Sequence, residues 1–279
     1  MERSAHTNTL RRLQLGPVKI AYTDEGIGDS ILCIHGSWDD HHSWGSVAAL
    51  LREEYRVVTY DRRGHGASTA PPGQGHVSDD VNDALELMDK LDLAPAHIAG
   101  HSYGANIALA LAIRSPASTR SLFVHEPPLF SLLKGSVELE ELRGEALALM
   151  TRTAQLIEKG DIEKGAKLFI EEVAFGAGSW EHLFNAAARA AILSNVDTWL
   201  DQFHDPERLA IDICALRDYS RSITVSTGLN TLPSYRQVVK QMIAMVPAIE
   251  VATIAGGGHG AHISHPTEIA SVMRAHLAA

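Results

Sequence analysis

Residues 96–113 of the chain, AHIAGHSYGANIALALAI, decide the fold. The letters before Gly100 are typical of a buried strand, and those from Ala105 onward are typical of a buried helix. Between them, residues 100–104 have the spacing Gly-x-Ser-x-Gly, in which small residues allow a strained turn from strand to helix. The sequence therefore predicts that this turn lifts the Ser102 hydroxyl clear of the backbone.

The predicted position of Ser102 suits a nucleophile. A serine on this turn lies at the positive end of a helix dipole, and the Tyr103 N–H can point at a developing oxyanion. The same letters also fit a glycine-rich turn with only a structural role.

Short apolar runs and helical segments alternate on both sides of this turn. Before them, residues 11–26 alternate apolar and polar residues around Gly16-Pro17, which predicts an antiparallel hairpin. Continuous apolar runs separated by helices are typical of parallel strands covered on both faces. The predicted strands are SILCIHG (30–36), RVVTYD (56–61), AHIAGHS (96–102), RSLFVHE (120–126), SITVSTGL (222–229) and IEVATIAGG (249–257).

Residues 129–220 have helical periodicity only, with helices predicted over 144–160, 162–176, 179–195 and 196–203, so they form an insertion between two predicted strands. The prediction is an α/β fold with a mostly parallel central sheet, an N-terminal antiparallel hairpin and a helical cap. Residues 1–128 and 221–279 form the core, and residues 129–220 form the cap.

The chain resembles the α/β-hydrolase family over nearly its whole length. Besides the serine turn, HGSW at 35–38 follows a predicted strand, where the family places the residue that supplies a second oxyanion N–H. The resemblance implies Ser37 or Trp38 as this donor and favours Trp38. It also implies a general base in GGGHG at 256–260, a loop that overhangs the serine.

A serine hydroxyl needs a neighbouring imidazole to accept its proton. His259 matches the position of the base in the family. His262 and His265 are its nearby rivals, and a surface histidine is the alternative interpretation of each.

The acid of the triad departs from the common family pattern. Many members carry it just after the strand that corresponds to SITVSTG, but this chain has GLNT at 228–231, and neither Asn230 nor Thr231 is a carboxylate. Some members use an acid one strand earlier, and Glu126 at the end of RSLFVHE matches that arrangement. Glu126 is therefore the predicted triad acid, with a structurally paired carboxylate as the alternative.

The resemblance implies a serine hydrolase that cleaves an ester or lactone through an acyl-enzyme. Members with the same triad also hydrolyse carbon–carbon bonds, transfer acyl groups or make peracids. A ligand sensor of the same fold is the alternative from another class. Most of the large apolar side chains in the insertion are expected to pack its own helices, and a minority could line a pocket above Ser102, which suggests an apolar acyl or alcohol group. These residues are Phe130, Leu132, Leu133, Trp180, Phe184, Trp199 and Phe203.

Charge and composition exclude other classes. The chain has 24 Lys+Arg and 34 Asp+Glu among 279 residues, a formal charge of −10, so it lacks the basic patch that nucleic acids require. No apolar run is long enough to span a membrane, and Cys33 and Cys214 are expected to be reduced, which favours the cytoplasm. The partner is a small-molecule substrate, and the oligomeric state stays open.

The sequence implies no cofactor and no metal. Histidines are clustered in HGSWDDHHSW at 35–44, but this stretch lacks the spacing of a helical metal motif. We therefore interpret them as polar loop residues.

Overall fold

The computed structural model describes residues 9–278, which form one eight-stranded sheet with helices on both faces. The strands are β1 (Arg11–Leu15), β2 (Val18–Glu25), β3 (Ser30–Ile34), β4 (Arg56–Tyr60), β5 (Ala96–His101), β6 (Thr119–His125), β7 (Ile223–Gly228) and β8 (Glu250–Ile254). They lie in the order β1-β2-β4-β3-β5-β6-β7-β8.

The sheet is antiparallel only at its N-terminal side. β1 pairs with β2 from Arg11 opposite Tyr22 to Leu15 opposite Val18, and β2 is also antiparallel to β4. All further neighbours are parallel. The predicted mostly parallel sheet with an N-terminal hairpin is confirmed. Because parallel strands end at the same edge, the residues that follow β5, β6 and β8 come together there.

The helices alternate with the strands as the sequence predicted, although α1 was not predicted. They are α1 (Gly45–Leu51), α2 (Val77–Lys90), α3 (Tyr103–Arg114), α4 (Val137–Glu158), α5 (Ile162–Leu168), α6 (Ser179–His182), α7 (Ala186–Ser194), α8 (Val196–His204), α9 (Pro233–Met245), α10 (Ala261–Ser264) and α11 (Pro266–Leu277), with a π-helical stretch at Phe169–Ala174. Shorter 3-10 turns lie at His41–Trp44, Pro116–Ser118, Phe130–Leu132, Pro206–Leu209 and Ile213–Asp218.

Side chains of the central strands alternate between two buried layers. In β3, Ile31 and Cys33 pack on the layer of α1 and α11, whereas Leu32 and Ile34 pack on the layer of α2 and α3. Both faces of the sheet are therefore covered at β3, which explains why the sequence of this strand is a continuous apolar run. Cys33 is buried and Cys214 is half-buried, and both are free thiols.

The chain between β6 and β7 is helical. Its longest helix, α4, begins seven residues before the Gly144 expected from periodicity, because the Ser136 hydroxyl caps it by accepting from the Leu139 N–H (3.3 Å). A helix predicted over 179–195 is instead divided into α6 and α7, and Asn185 caps α7. Within residues 9–278, no helix is both long and apolar enough to cross a bilayer.

Candidate active site

Ser102 lies on the turn between β5 and α3. Its backbone has φ 52° and ψ −123°, a conformation that residues with a side chain rarely adopt. The Ser102 N–H donates to the His125 carbonyl of β6 (3.0 Å), which holds the turn against the sheet. A Cβ on Gly100 or on Gly104 would overlap backbone atoms, so the two glycines allow β5, α3 and the end of β3 to approach so closely.

His259 lies in the loop after β8 and contacts both other members of the predicted triad. Its Nε2 is 3.0 Å from Ser102 Oγ, and its Nδ1 is 3.0 Å from Glu126 Oε2. All three side chains are buried. The structure thus brings the three residues into one hydrogen-bonded chain.

Glu126 follows the last residue of β6, and its carboxylate accepts four hydrogen bonds. Oε1 accepts from Thr227 Oγ1 (2.9 Å) and from the Gly228 N–H (2.8 Å). Oε2 accepts from Thr231 Oγ1 (2.6 Å) and from His259 Nδ1. The backbone of Glu126 has φ 47°, a strained value for a residue other than glycine. These donors from β7 and its loop hold the carboxylate in place.

The charge of Glu126 fixes the tautomer of His259. Burial by itself raises the pKa of a carboxyl, but the hydrogen bond from His259 and the nearby His125 lower the pKa of Glu126 to about 2. An ionised carboxylate only accepts hydrogen bonds, so His259 carries its proton on Nδ1. The Nε2 lone pair therefore faces the Ser102 hydroxyl, as a general base requires.

Aromatic rings hold the His259 imidazole between them. Tyr235 stacks on it at 4.2 Å between centroids, and Phe175 meets it edge-on at 5.2 Å. Two histidines hold the backbone of the same loop: His101 Nε2 donates to the His259 carbonyl (2.9 Å), and His125 Nε2 donates to the Gly258 carbonyl (3.2 Å). The ring and its loop are thus fixed from several sides.

Asn230, which stands where many relatives have the acid, does not contact His259. Its Nδ2 donates to the Gly256 carbonyl (2.9 Å), and its backbone N–H donates to the Gly257 carbonyl (2.8 Å). Asn230 therefore ties the loop after β7 to the loop after β8.

The rival histidines are placed away from the Ser102 hydroxyl. His262 is fully buried and stacks on His101 at 3.9 Å, so the surface interpretation is wrong for it. Burial lowers the pKa of His262 well below its ordinary value, so the ring is neutral. His265 is half-buried and contacts Ser264 through Nδ1 (2.8 Å).

A small cavity of about 40 Å³, partly open to solvent, lies over Ser102. Helical segments between β6 and β7 supply much of its wall. Of the large apolar residues considered from the sequence, three line it: Phe130, Trp199 and Phe203.

The likeness to known proteins agrees with this geometry. Residues 31–272 match the model of a family described as the alpha/beta hydrolase family. The chain belongs to the α/β-hydrolase family. It is 38% identical over 153 residues to an uncharacterized hydrolase, YraK, of Bacillus subtilis, a match that covers 50% of this chain and 56% of YraK.

Solved structures show the same α/β-hydrolase fold. An enol-lactonase from Burkholderia xenovorans superposes with a TM-score of 0.79 at 18% identity, over 96% of this chain and 100% of that one. A carboxylesterase from Nitrososphaera gargenis superposes with a TM-score of 0.75 at 19% identity, over 96% of this chain and 98% of that one. At these identities the likeness concerns the fold.

The loop after β3 of this α/β hydrolase lies beside Ser102. A Cβ on Gly36 would lie 3.1 Å from Ser102 Cβ, so the backbone passes directly over the serine. Ser37 lines the cavity, and its hydroxyl donates to Gln202 Oε1 (2.6 Å). The Trp38 side chain instead packs on Trp199, 5.2 Å away between centroids.

Some groups of side chains in this α/β hydrolase have the composition of metal ligands. Within residues 9–278, three groups place their ligand atoms within 4.8 Å of one another. They are Asp39 with His101 and His262, Asp40 with His41 and His42, and His76 with Asp205 and Glu207. None of them contains a member of the Ser102–His259–Glu126 chain. We keep metal independence as a prediction.

Several residues that support this site were missed by sequence reasoning. Thr227 and Thr231 bind Glu126, and His101 and His125 bind the loop of His259. Each is adjacent or nearly adjacent in sequence to a recognised motif, and proximity to a motif is the only signal that could have identified them. Arg208, which lines the cavity, has no such signal.

Proposed function

We propose that this α/β hydrolase is a serine hydrolase that cleaves a carboxylic ester or lactone through an acyl-enzyme. The observation that carries the proposal is the hydrogen-bonded chain from Ser102 Oγ through His259 to Glu126, with both links at 3.0 Å, beneath the cavity. A nucleophile, a base and an orienting acid in this order are the parts needed for acyl transfer.

Acylation begins with attack of Ser102 Oγ on the substrate carbonyl carbon. His259 Nε2 takes the serine proton, and the resulting imidazolium donates both N–H groups, one of them to ionised Glu126. His259 then gives the proton to the leaving oxygen. The stacked face of Tyr235 adds a favourable contact to the imidazolium, because an aromatic ring attracts a cation at its face.

The oxyanion is held by two backbone N–H groups. One is that of Tyr103, the first residue of α3, where helix geometry leaves the N–H without an intrahelical acceptor. The other comes from the loop after β3. Trp38 is the residue that the sequence favours for this role, and Ser37, which lines the cavity, is the alternative.

Deacylation repeats the sequence with water as the nucleophile. His259 removes a proton from water, the hydroxide attacks the acyl carbon, and Ser102 leaves with the proton returned from His259. We assign residues 129–220 as the cap over this site, since they supply much of the cavity wall.

The wall of the cavity indicates which substrate group lies next to Ser102. Aromatic and aliphatic side chains such as Phe130, Phe169 and Val173 surround the space above Ser102, which suits a small acyl or alcohol group.

A fluorophosphonate probe tests the assignment. It should label Ser102 in the wild type and fail to label Ser102→Ala, because only an activated serine reacts at useful speed. The wild type should also hydrolyse p-nitrophenyl butyrate, and EDTA should leave this rate unchanged. Labelling of Ser102→Ala at the wild-type level would reject the nucleophile. Absence of turnover with the wild type would favour a ligand sensor.

A further inference from the structure

One cation lines the otherwise uncharged cavity over Ser102. Among the described residues that form its wall, Arg208 is the only one with a formal charge, and its neighbours there include Phe203, Trp199 and Met150. It lies in the 3-10 turn Pro206–Leu209 that follows α8. Arg208 is half-buried, so its charge is partly removed from water, and an anion in the cavity would offset that cost.

Arg208 has an anchor but no anionic partner within residues 9–278. Its Nε and Nη2 donate to the Phe203 carbonyl (3.4 and 3.1 Å), and its Cζ lies 5.7 Å from the centre of the Phe203 ring. No carboxylate of the described chain lies within ion-pair distance of it. Five N–H groups are available to an arginine, so three remain for a ligand.

The acid nearest in sequence to Arg208 is already occupied. Asp205 is buried, and its carboxylate accepts from His76 Nδ1 (3.0 Å), the Val77 N–H (2.7 Å) and the Glu207 N–H (2.9 Å). These bonds hold Asp205 toward the start of α2. Burial lowers the pKa of Arg208 from its ordinary value, which reflects the cost of a charge at this position, yet a guanidinium stays protonated.

We propose that Arg208 binds a carboxylate of the substrate, so that the substrate class is esters or lactones carrying one free carboxylate. A planar guanidinium fixed on one edge by a backbone carbonyl presents its remaining N–H groups in the geometry that a carboxylate accepts. The proposal rests on the proposed function, since it takes Ser102 to be the nucleophile in the same cavity. With a single cation in the cavity and a formal charge of −10 on the chain, a second free carboxylate is disfavoured.

A matched pair of esters tests the proposal. Monomethyl glutarate and methyl valerate have acyl chains of equal length and differ only in a carboxylate replacing the terminal methyl. For the wild type, kcat/KM should be about tenfold or more higher for monomethyl glutarate, the worth of a charge-assisted hydrogen bond. In Arg208→Gln the ratio of the two kcat/KM values should fall about tenfold or more, and Arg208→Lys should retain part of it.

Arg217→Gln is the matched control. Arg217 also donates from Nε to a backbone carbonyl, that of Met245 (2.7 Å), but it is exposed and outside the cavity wall. Arg217→Gln changes the net charge by the same amount as Arg208→Gln. It should leave the ratio of kcat/KM for the two esters unchanged. An equal kcat/KM for the two esters in the wild type, or a ratio that Arg208→Gln does not change, overturns the proposal while the serine mechanism stands.

A binding measurement distinguishes failure of the carboxylate site from failure of the proposed function. Ser102→Ala should bind monomethyl glutarate in calorimetry, and Ser102→Ala with Arg208→Gln should bind it about tenfold or more weakly. If the wild type hydrolyses neither ester but this difference in binding is found, the proposed function fails and the carboxylate site stands. If the two variants bind monomethyl glutarate equally, the carboxylate site is rejected whatever the activity.

Discussion

The carboxyl edge of the sheet and the helices inserted between β6 and β7 are built on different principles. At the sheet edge, polar groups are buried and bound to one another, and the Glu126 carboxylate alone accepts four hydrogen bonds. In the inserted helices, the wall of the cavity is largely apolar, and its cation is anchored only to a backbone carbonyl. Under the proposed function, the sheet edge carries the reacting groups and the inserted helices select the substrate.

The largest expected effect is at the sheet edge. His259→Ala removes the base, so kcat should fall about 10⁴-fold or more, because Ser102 then keeps its proton. His265→Ala, six residues further along the chain, should leave kcat nearly unchanged, since the His265 ring hydrogen-bonds Ser264 Oγ (2.8 Å) and lies outside the chain of bonds from Ser102 to Glu126. Steady-state rates with p-nitrophenyl butyrate check both. A greater loss in His265→Ala than in His259→Ala would reject the assigned base.

The next effect concerns the acid. Glu126→Gln should lower kcat about 10²-fold or more, because an amide cannot stabilise the imidazolium of His259. Ser102 should still react slowly with a fluorophosphonate, since the nucleophile and the oxyanion donors remain. Asn230→Ala should change kcat little, because the Asn230 side chain binds the Gly256 carbonyl and not the base. Near-full activity of Glu126→Gln would show that another carboxylate is the acid that orients His259.

A substitution in the inserted helices should change the preference between substrates more than the rate of the chemical step. Phe203 lines the cavity and stacks on Trp199 at 5.5 Å, so Phe203→Ala enlarges the space for the acyl group. The ratio of kcat/KM for p-nitrophenyl octanoate to that for the butyrate should rise several-fold, at about 0.8 kcal/mol per buried methylene.

Phe184→Ala is the control for this change. Phe184 is buried in the same set of helices, against Phe175, but does not line the cavity over Ser102. It should cost about 3–5 kcal/mol of unfolding free energy and leave the chain-length ratio unchanged. If the ratio of kcat/KM for the octanoate to that for the butyrate is the same in the wild type and in Phe203→Ala, the inserted helices do not select the acyl chain.

The smallest effect is expected where the two regions meet. The Asp39 backbone carbonyl accepts from Asn195 Nδ2 (3.0 Å) at the start of α8, and burial raises the pKa of the Asp39 carboxyl from 3.8 to about 7. An acid whose pKa is higher in the folded state destabilises the fold as pH rises between those values. Asp39→Asn should therefore raise the Tm relative to wild type at pH 8 and not at pH 4. A pH-independent difference in thermal unfolding would contradict this.

The sheet edge could be predicted from the sequence because its signals are local. Ser102 lies between a strand and a helix pattern, Glu126 ends a strand, and His259 lies in a glycine-rich loop after one, so topology alone brings them to one edge. The burial of His262 was not predicted, because a histidine in a short helix carries no pattern that states which neighbour covers it.

The inserted helices could be predicted only as helices. Apolar periodicity shows that a face is buried but not what it packs against, so the sequence could not place Arg208 in the cavity wall or divide 179–195 at residues 183–185. The start of α4 was missed because its first turns carry charged residues, and its cap is a single serine, Ser136.

The hydrogen bond of the Asn230 side chain works against placing the triad acid at position 230. An aspartate at this position would bring a carboxylate against the Gly256 carbonyl oxygen, which now accepts from the Asn230 amide. Two oxygens would then face each other, whereas the backbone bond from the residue 230 N–H to the Gly257 carbonyl (2.8 Å) would remain. A carboxylate at position 230 would therefore have to turn away from Gly256 before it could reach His259, whereas the Glu126 carboxylate already contacts the His259 ring.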